Sequence, residues 1–416
     1  MNILVLNCGS SSLKFQIIET DATKMKNHTD RELAKGLIEK VGSDEAIISI
    51  KSAGNDDYKV IKPLADHTLA LYCVIDWILL PTTRLDGIKS LKDIHAIGHR
   101  AVHGTETFKS SVFITDSVIK ILEDSIELAP LHNPANLKGI YAAIEVFGKD
   151  VPQVVIFDTA FHSTLPNYSY LYGIPLKYYD KYKIRKYGFH GTSHRYIGIR
   201  YRHLTGKTIE NTNIISLHLG NGASICAIKN GKSIDTTMGF TPLEGLIMGT
   251  RCGDIDPTII EFLMKKEKLN ITEVINILNK QSGLLGISGI SNDMRDLQKA
   301  VAENNNENAK LAIEMYAYKT KKFIGEYLAA MNGADAICFT AGIGENSVNT
   351  RKNICSNLEF LGIELDDELN EQMMCGKEGK ISKPDSKVSI YVIPTNEEIM
   401  LAHDTYSIVS GIDIVE

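Results

Sequence analysis

The chain has 416 residues, 44% apolar and 23% charged, with a net charge of −6. That is ordinary globular composition, long enough for two or three domains with sizeable cores. Mild acidity without a long basic block speaks against nucleic-acid or anionic-membrane partners, and no apolar run reaches a membrane span, since 69–80 is short and interrupted by Asp76. Taken in chain order, residues 2–7 and 12–19 read as strands around the turn Asn7-Cys8-Gly9-Ser10-Ser11-Ser12, with Lys14 just beyond. The chain thus enters a strand at once, and no signal peptide is expected. Further strands are expected at 33–40 and 46–51, and a helix near 66–80. A strand from Ile94 ends in the loop Gly98-His99-Arg100-Ala-Val102-His103-Gly104. Thr115 or Asp116 caps a predicted helix through Leu128. Asn133-Pro134-Ala-Asn136 starts another, through Phe147, and the strand 154–157 ends at Asp158-Thr159. Residues 166–188 are Tyr-rich and irregular. From Asn213 a strand, the turn Gly220-Asn221-Gly222 and a second strand repeat the opening pattern. Helices follow near 256–279, 293–303 and 307–332. A strand at 335–339 runs into Thr340-Ala-Gly342-Ile343-Gly344-Glu345-Asn346, and a last strand at 388–392 precedes a final helix at 396–410.

Alternating strands and helices indicate an α/β fold, and two hairpins of one kind suggest a duplicated nucleotide-binding architecture. The domain change is placed after Asp158, with the last helix returning to the first domain. The domains are then 1–158 plus 396–416, and 159–395. In each hairpin, backbone N–H groups and small hydroxyls can hold phosphate oxygens, and Lys14 adds charge. A Gly-Ser turn alone is usually just a turn; the repetition favours phosphate. Neither a P-loop nor a convincing dinucleotide fingerprint occurs, so nucleotide would bind through hairpins. Seven cysteines (8, 73, 226, 252, 338, 355 and 375) contain no Cys-x-x-Cys pair, which argues against a zinc knuckle and fits reduced thiols in the cytoplasm.

Chemistry-bearing residues cluster at strand ends, where open α/β sheets bind ligands. Arg100 and Arg251 lie near glycines and suit a guanidinium projecting into a cleft, although a lone Arg is more often a salt-bridged surface group. His190 and His194 are four apart, as in a helical metal pair, but Gly191 and Ser193 weaken the helix and His-Glu-x-x-His is absent. A phosphoryl-oxygen donor is the better reading of His190, with a structural His as the alternative. Asp158 suits a turn cap, a magnesium-water contact or acid–base work. Glu397 and Glu398 follow Asn396 at a helix N-terminus, where capping alone would explain them.

Taken together, the segments resemble the acetokinase family over essentially the whole chain. They include Asn7-Cys-Gly-Ser-Ser-Ser-Leu-Lys14, Gly98-His-Arg, Pro130-Leu-His-Asn-Pro, Phe157-Asp-Thr-Ala-Phe-His, Gly188-Phe-His-Gly-Thr-Ser-His, His218-Leu-Gly-Asn-Gly, Thr241-Pro-Leu-Glu-Gly, Gly249-Thr-Arg, Gly253-Asp-Ile-Asp-Pro, Gly342-Ile-Gly-Glu-Asn and Asn396-Glu-Glu. The resemblance implies two related RNase H-like domains of the sugar kinase, Hsp70 and actin type, with nucleotide in the cleft between them. It implies reversible transfer of the ATP γ-phosphoryl to acetate, giving acetyl phosphate and ADP, by a cytoplasmic homodimer that uses magnesium, or manganese in its place. By resemblance, Asn7 and Glu397 are metal-associated, and Lys14 with Ser10 and Ser12 contacts ATP. His218, Leu219, Gly220, Asn221 and Gly222 surround the nucleotide. So do Asp293, Met294 and Arg295, and Gly342, Ile343, Gly344, Glu345 and Asn346. Arg100 and Arg251 bind carboxylate and phosphoryl oxygens, His190 stabilises the transferring group, and Asp158 is the family's acid–base position. Val102, Leu131, Phe189 and Pro242 form the pocket for the acyl methyl. Two positions depart from the pattern: Cys252 stands where Ser is expected, and Thr105 where a second Gly is common. Alternatives are a propionate or butyrate kinase of the same superfamily, or an actin- or Hsp70-like ATPase binding module.

Overall fold

Ile3, Leu4, Val5 and Leu6 are all buried, and the strand they form, β1 (Asn2–Gly9), is covered on both faces. A computed structural model describes residues 1–80, 82–128 and 133–412, which divide into two units, Met1–Phe161 with Asn396–Glu416, and His162–Thr395. In unit 1, β1 is joined by β2 (Ser12–Glu19), β3 (Arg31–Glu39), β4 (Ser43–Ser52), β5 (Tyr58–Leu64), β6 (Ala96–Ala101), β7 (Val112–Phe113) and β8 (Gln153–Phe157). Their order is β5-β4-β3-β2-β1-β6-β8-β7. Unit 2 contains β9 (Ile214–Leu219), β10 (Ala223–Lys229), β11 (Lys232–Thr236), β12 (Ala336–Thr340), β13 (Gly379–Lys380) and β14 (Ser389–Val392), ordered β11-β10-β9-β12-β14-β13.

The two sheets share one six-stranded core topology, to which unit 1 adds β4 and β5 beyond β3. Each has an antiparallel triple, β3-β2-β1 or β11-β10-β9. Two strands then run parallel to the first, β6 and β8 or β12 and β14. A two-residue antiparallel strand, β7 or β13, closes each edge.

In unit 1 the pleat of β1 sends Leu4 and Leu6 to one face and Ile3 and Val5 to the other. Leu4 and Leu6 join a core with Phe15, Leu71, Val74, Ala142 and Ala143, supplied partly by helices His67–Leu79 and Asn133–Phe147. Ile3 and Val5 meet Leu401, Ala402 and Tyr406 of helix Glu397–Ser410. That helix crosses β6 so closely that a Cβ on Gly98 would lie 2.5 Å from Thr405 Oγ1. In unit 2, helix Gly191–Thr205 lies on β9, and helix Glu307–Met331 packs against β9 and β10.

Several expectations change in detail. The helix capped by Thr115 ends at Asp124 rather than running through Leu128: the backbone leaves helical geometry at Ser125 (φ −92, ψ 5), and a short 3₁₀ helix follows over Ile126–Leu128. Residues 256–279 form two helices, Thr258–Glu267 and Ile271–Lys280. Lys268 is left-handed (φ 57) at the break, and Asn270 with Glu273 makes a capping box. The Tyr-rich stretch contains short helices Asn167–Tyr170 and Lys177–Tyr182. Despite Gly191 and Ser193 in its first turn, a helix forms over Gly191–Thr205, with Ile197 and Tyr201 as its buried stripe. Leu131, with its neighbours Pro130 and His132, lies outside the described residues.

Candidate active site

In unit 1 the parallel strands bring their polar C-terminal ends together. Asn7 and Lys14 are cross-strand partners in the first hairpin. Leu6 pairs with His99, so the next residues along, Asn7 and Arg100, lie on one face. Asp158 follows β8 directly, its N–H bonded to Ala101 O. Arg100 donates to both Asp158 oxygens, Nε to Oδ1 at 2.9 Å and Nη2 to Oδ2 at 2.6 Å, the geometry of a fork-like ion pair. Glu397 Oε2 lies 3.9 Å from Arg100 Nε, and Lys14 pairs with Glu398. Both glutamates occupy the first turn of a helix capped by the Asn396 side chain, which accepts from Ile399 N–H.

Burial alone would lower the Arg100 guanidinium, but the charges of Asp158 and Glu397 outweigh it and hold it above its ordinary value. Burial raises the Glu397 carboxyl; Arg100 pulls it back, while Asp158 and Glu398 push it up again. Three carboxylates against two cations leave an oxygen-rich set with spare negative charge. Among the described residues no three His, Cys, Asp or Glu side chains converge to hold a metal by themselves. Such a set suits a magnesium ion, which is usually held by one or two carboxylates and completed by waters and phosphates.

The first hairpin is tied down from behind. Asn136 donates to Cys8 O at 3.0 Å and accepts from Val102 N–H at 3.1 Å, and His67 Nε2 bonds Gly9 O at 2.8 Å. Ser10 is exposed and Ser12 partly so.

In unit 2, His190 begins the helix Gly191–Thr205 with a left-handed backbone (φ 54). Its ring stacks on His218 at 4.1 Å between centroids, and its Nδ1 bonds Ser224 Oγ at 2.9 Å. His218 Nδ1 in turn bonds Ser193 Oγ. The Gly220-Asn221-Gly222 turn abuts both His190 and Arg251: a Cβ on Gly222 would lie 3.5 Å from Arg251 Nη1 and 3.6 Å from His190 Nε2. Arg251 sits in a loop held to this turn by the Gly249 N–H bond to Asn221 O. Its Nη1 donates to Pro242 O at 3.1 Å, and burial lowers its guanidinium from the ordinary value. Among the described residues no carboxylate pairs with Arg251, in contrast to Arg100.

The remaining sequence candidates fall on three segments of unit 2. Asp293 caps helix Met294–Asn304, and the Arg295 side chain pairs with it. Asn292 Nδ2 bonds Asn221 Oδ1, which links this cap to the second hairpin. Gly342–Asn346 lies in the helix Ala341–Asn346 after β12. The Glu345 carboxylate accepts from Thr395 N–H at 3.0 Å, so its side chain braces the fold. Phe189 is buried, and its carbonyl bonds His162 Nε2. His194, weighed as half of a metal pair, instead bonds Ser216 through Nδ1 and Ser224 through Nε2.

Sequence reading missed Arg351, Asn136, Ser193, Ser216 and Ser224. Arg351 has no exposed surface, yet donates to Asn370 Oδ1 and to the carbonyls of Gly344, Glu345, Asn370 and Met373 at 2.7–2.9 Å. Burial lowers it to about 10. A signal for the serines was available: Ser216 and His218 are two apart within an apolar strand, a polar face that must find partners when buried.

Two units built on one core sheet topology define a two-domain fold of the actin-like ATPase type. The chain belongs to the acetokinase family, whose profile matches residues 2–403. It is 54% identical to the acetate kinase of Chloroherpeton thalassium, covering 98% of both chains. It is also 54% identical to that of Thermoanaerobacterium thermosaccharolyticum, covering 99% of this chain and all of the relative. Among solved structures, Porphyromonas gingivalis acetate kinase superposes with a TM-score of 0.91 at 45% identity, over 98% of this chain and 99% of that one. A propionate kinase from Francisella tularensis gives 0.87 at 42% identity, over 97% and 98%.

Proposed function

We propose that this protein transfers the γ-phosphoryl group of ATP to acetate, reversibly, forming acetyl phosphate and ADP. The observation that carries the proposal is Arg251, a partly buried guanidinium with no carboxylate partner among the described residues, set beside His190 and the glycine turn. A cation left in that state is stabilised by an incoming anion. Arg100, held in place through Nε and Nη2 by Asp158, offers the second guanidinium, and the two are assigned to the carboxylate and phosphoryl oxygens.

An acetate oxygen attacks Pγ as the bond from Pγ to the β-phosphate oxygen breaks. Acetate is already ionised near neutrality, having a carboxyl like that of Glu at ~4.3. No base is therefore needed, and Asp158 serves by orienting Arg100. Catalysis is then positioning and charge neutralisation of an in-line transfer. Asn7 and Glu397 would hold magnesium, or manganese in its place, which supplies charge neutralisation at the phosphates. Lys14, Ser10, Ser12 and the segments at 218–222, 293–295 and 342–346 are assigned to the nucleotide. Val102, Phe189 and Pro242 are assigned to the acyl methyl. A homodimer and a cytoplasmic location belong to the same reading.

Propionate is a second candidate acid, supported by the similarity to a propionate kinase; one methylene separates the two acids by only about 1–3 kcal/mol. The test is ADP formation by the purified protein with acetate, propionate and butyrate. Acetate should give the highest kcat/KM. Arg100→Ala and Arg251→Ala should each lower kcat on the order of 10²–10³, as loss of one preorganised charge donor does. Near-normal turnover in either variant would remove that residue from the mechanism.

A further inference from the structure

Beneath His190 runs a chain of four buried or half-buried polar groups. Ser216 Oγ lies 2.9 Å from His194 Nδ1, His194 Nε2 2.8 Å from Ser224 Oγ, and Ser224 Oγ 2.9 Å from His190 Nδ1. Ser216, His194 and Ser224 have no exposed surface. We propose that Ser216, His194 and Ser224 form a hydrogen-bond relay that fixes His190 as its Nε2–H tautomer, and that Ser224 is therefore a positioning residue for the reaction.

Proton accounting selects the direction. Ser224 has one hydroxyl proton and two imidazole partners, so it donates to one and accepts from the other. If it donated to His194, then His194 would carry its proton on Nδ1 and give it to Ser216. The buried Ser216 hydroxyl proton would then have no acceptor among its bonds, a costly state. In the opposite direction every proton is placed. Ser216 O–H donates to His194 Nδ1, His194 Nε2–H donates to Ser224 Oγ, and Ser224 O–H donates to His190 Nδ1. His190 Nδ1 is then an acceptor, and its proton sits on Nε2, the nitrogen that abuts Gly222 in the phosphate turn. This arrangement requires a neutral His194; burial, with His162 and His218 nearby, holds that imidazole well below its ordinary value. The stack on His218, itself held by Ser193, fixes the ring plane. The result is a neutral donor aimed at anionic oxygen without any change in protonation.

The consequence for turnover rests on the phosphotransfer reading; the tautomer itself does not. Side-chain nitrogen NMR on the full-length protein labelled with ¹⁵N-histidine separates the two, with signals assigned by single-histidine variants. His190 should show a protonated Nε2 and an acceptor-type Nδ1. Ser224→Ala should remove the hydrogen bond that His190 Nδ1 accepts, shift that nitrogen's signal to the unbonded acceptor position, and lower kcat on the order of 10- to 100-fold, the usual cost of losing a partner that orients a functional histidine. KM for ATP and acetate should move little, and Ser224→Thr, which keeps the hydroxyl, should restore that signal and turnover. A protonated Nδ1 on His190 in the parent would overturn the relay, as would a Ser224→Ala protein whose His190 Nδ1 signal is unchanged. A parent that makes no ADP from acetate would sink the reaction assignment, and the nitrogen spectrum would still decide the relay.

Discussion

Thr105 occupies a left-handed backbone position, φ 55, which a β-branched residue adopts only at a cost. Its N–H is held by His103 Nδ1 at 3.0 Å, which keeps the turn in place despite the strain. A glycine there would relieve it, so Thr105→Gly should raise stability by roughly 0.5–1 kcal/mol, net of the entropy glycine adds to the unfolded chain. Calorimetry would read this as a higher Tm, and a lower Tm would show that the threonine side chain contributes more than its backbone costs. His99 makes a different kind of prediction. It is buried beside Arg100 on the opposite face of β6, with Nε2 on Gln153 Oε1, and burial lowers it from 6.5 to about 4. Below pH 6.5 the unfolded chain takes up a proton that the folded protein refuses. Stability is therefore full above that pH and is lost as pH falls toward 4, at about 1.4 kcal/mol per pH unit from this residue. His103, also lowered to about 4, acts in the same direction. Urea titrations between pH 7 and 4 should show His99→Gln with a slope shallower by about one proton; an identical slope would exclude His99 as a contributor.

Elements place these residues, and the tightest placement is helix Glu397–Ser410 on β6. A Cβ at position 98 would meet Thr405 Oγ1 at 2.5 Å and Leu401 O at 3.3 Å. Gly98→Ala should therefore lift the helix and cost about 1–3 kcal/mol as overpacking. It should also disturb Glu397, which the same helix carries. Adding Thr405→Ala should recover part of the lost stability, since it removes the nearer of the two atoms. A Gly98→Ala protein with unchanged Tm and turnover would mean that the helix has room to move. Much of this architecture was legible in the sequence, because strands such as 154–157 and helices such as 307–332 announce themselves by apolar period and flanking caps. Arg100 and Asp158 stood out because they end or follow apolar strands, and Arg251 because it lies among glycines, although ion pairing or capping would explain each of them equally well in the sequence alone. Helix Gly191–Thr205 was obscured because its first turn holds small residues and its apolar stripe is only Ile197 and Tyr201. Arg351 and Asn136 were illegible for a deeper reason. They act by bonding backbone carbonyls distant in sequence, as Asn136 does with Cys8, and no local pattern encodes which carbonyls those will be.

At the scale of the whole molecule, unit 2 is one continuous run, whereas unit 1 is assembled from both ends of the chain. Removing residues 396–416 should leave unit 2 resistant to limited proteolysis while unit 1 is cut, because Ile3, Val5, Ala96 and Ile156 would lose Leu401, Ala402 and Tyr406 as cover. Equal resistance of both units would show that the terminal helix is dispensable for the first sheet. The same layout imposes a timetable during synthesis. Chains emerge N-terminal end first at about 5–20 residues per second. The first sheet is thus made early, but one of its faces waits some tens of seconds for its helix while all of unit 2 is translated. A molecular chaperone would find its longest opportunity in that interval, on the face formed by Ile3 and Val5. Glu397 and Glu398 arrive with the same helix, so a ribosome that stalls before residue 397 leaves a chain whose two glycine hairpins are both present but whose acidic corner is reduced from three carboxylates to Asp158 alone.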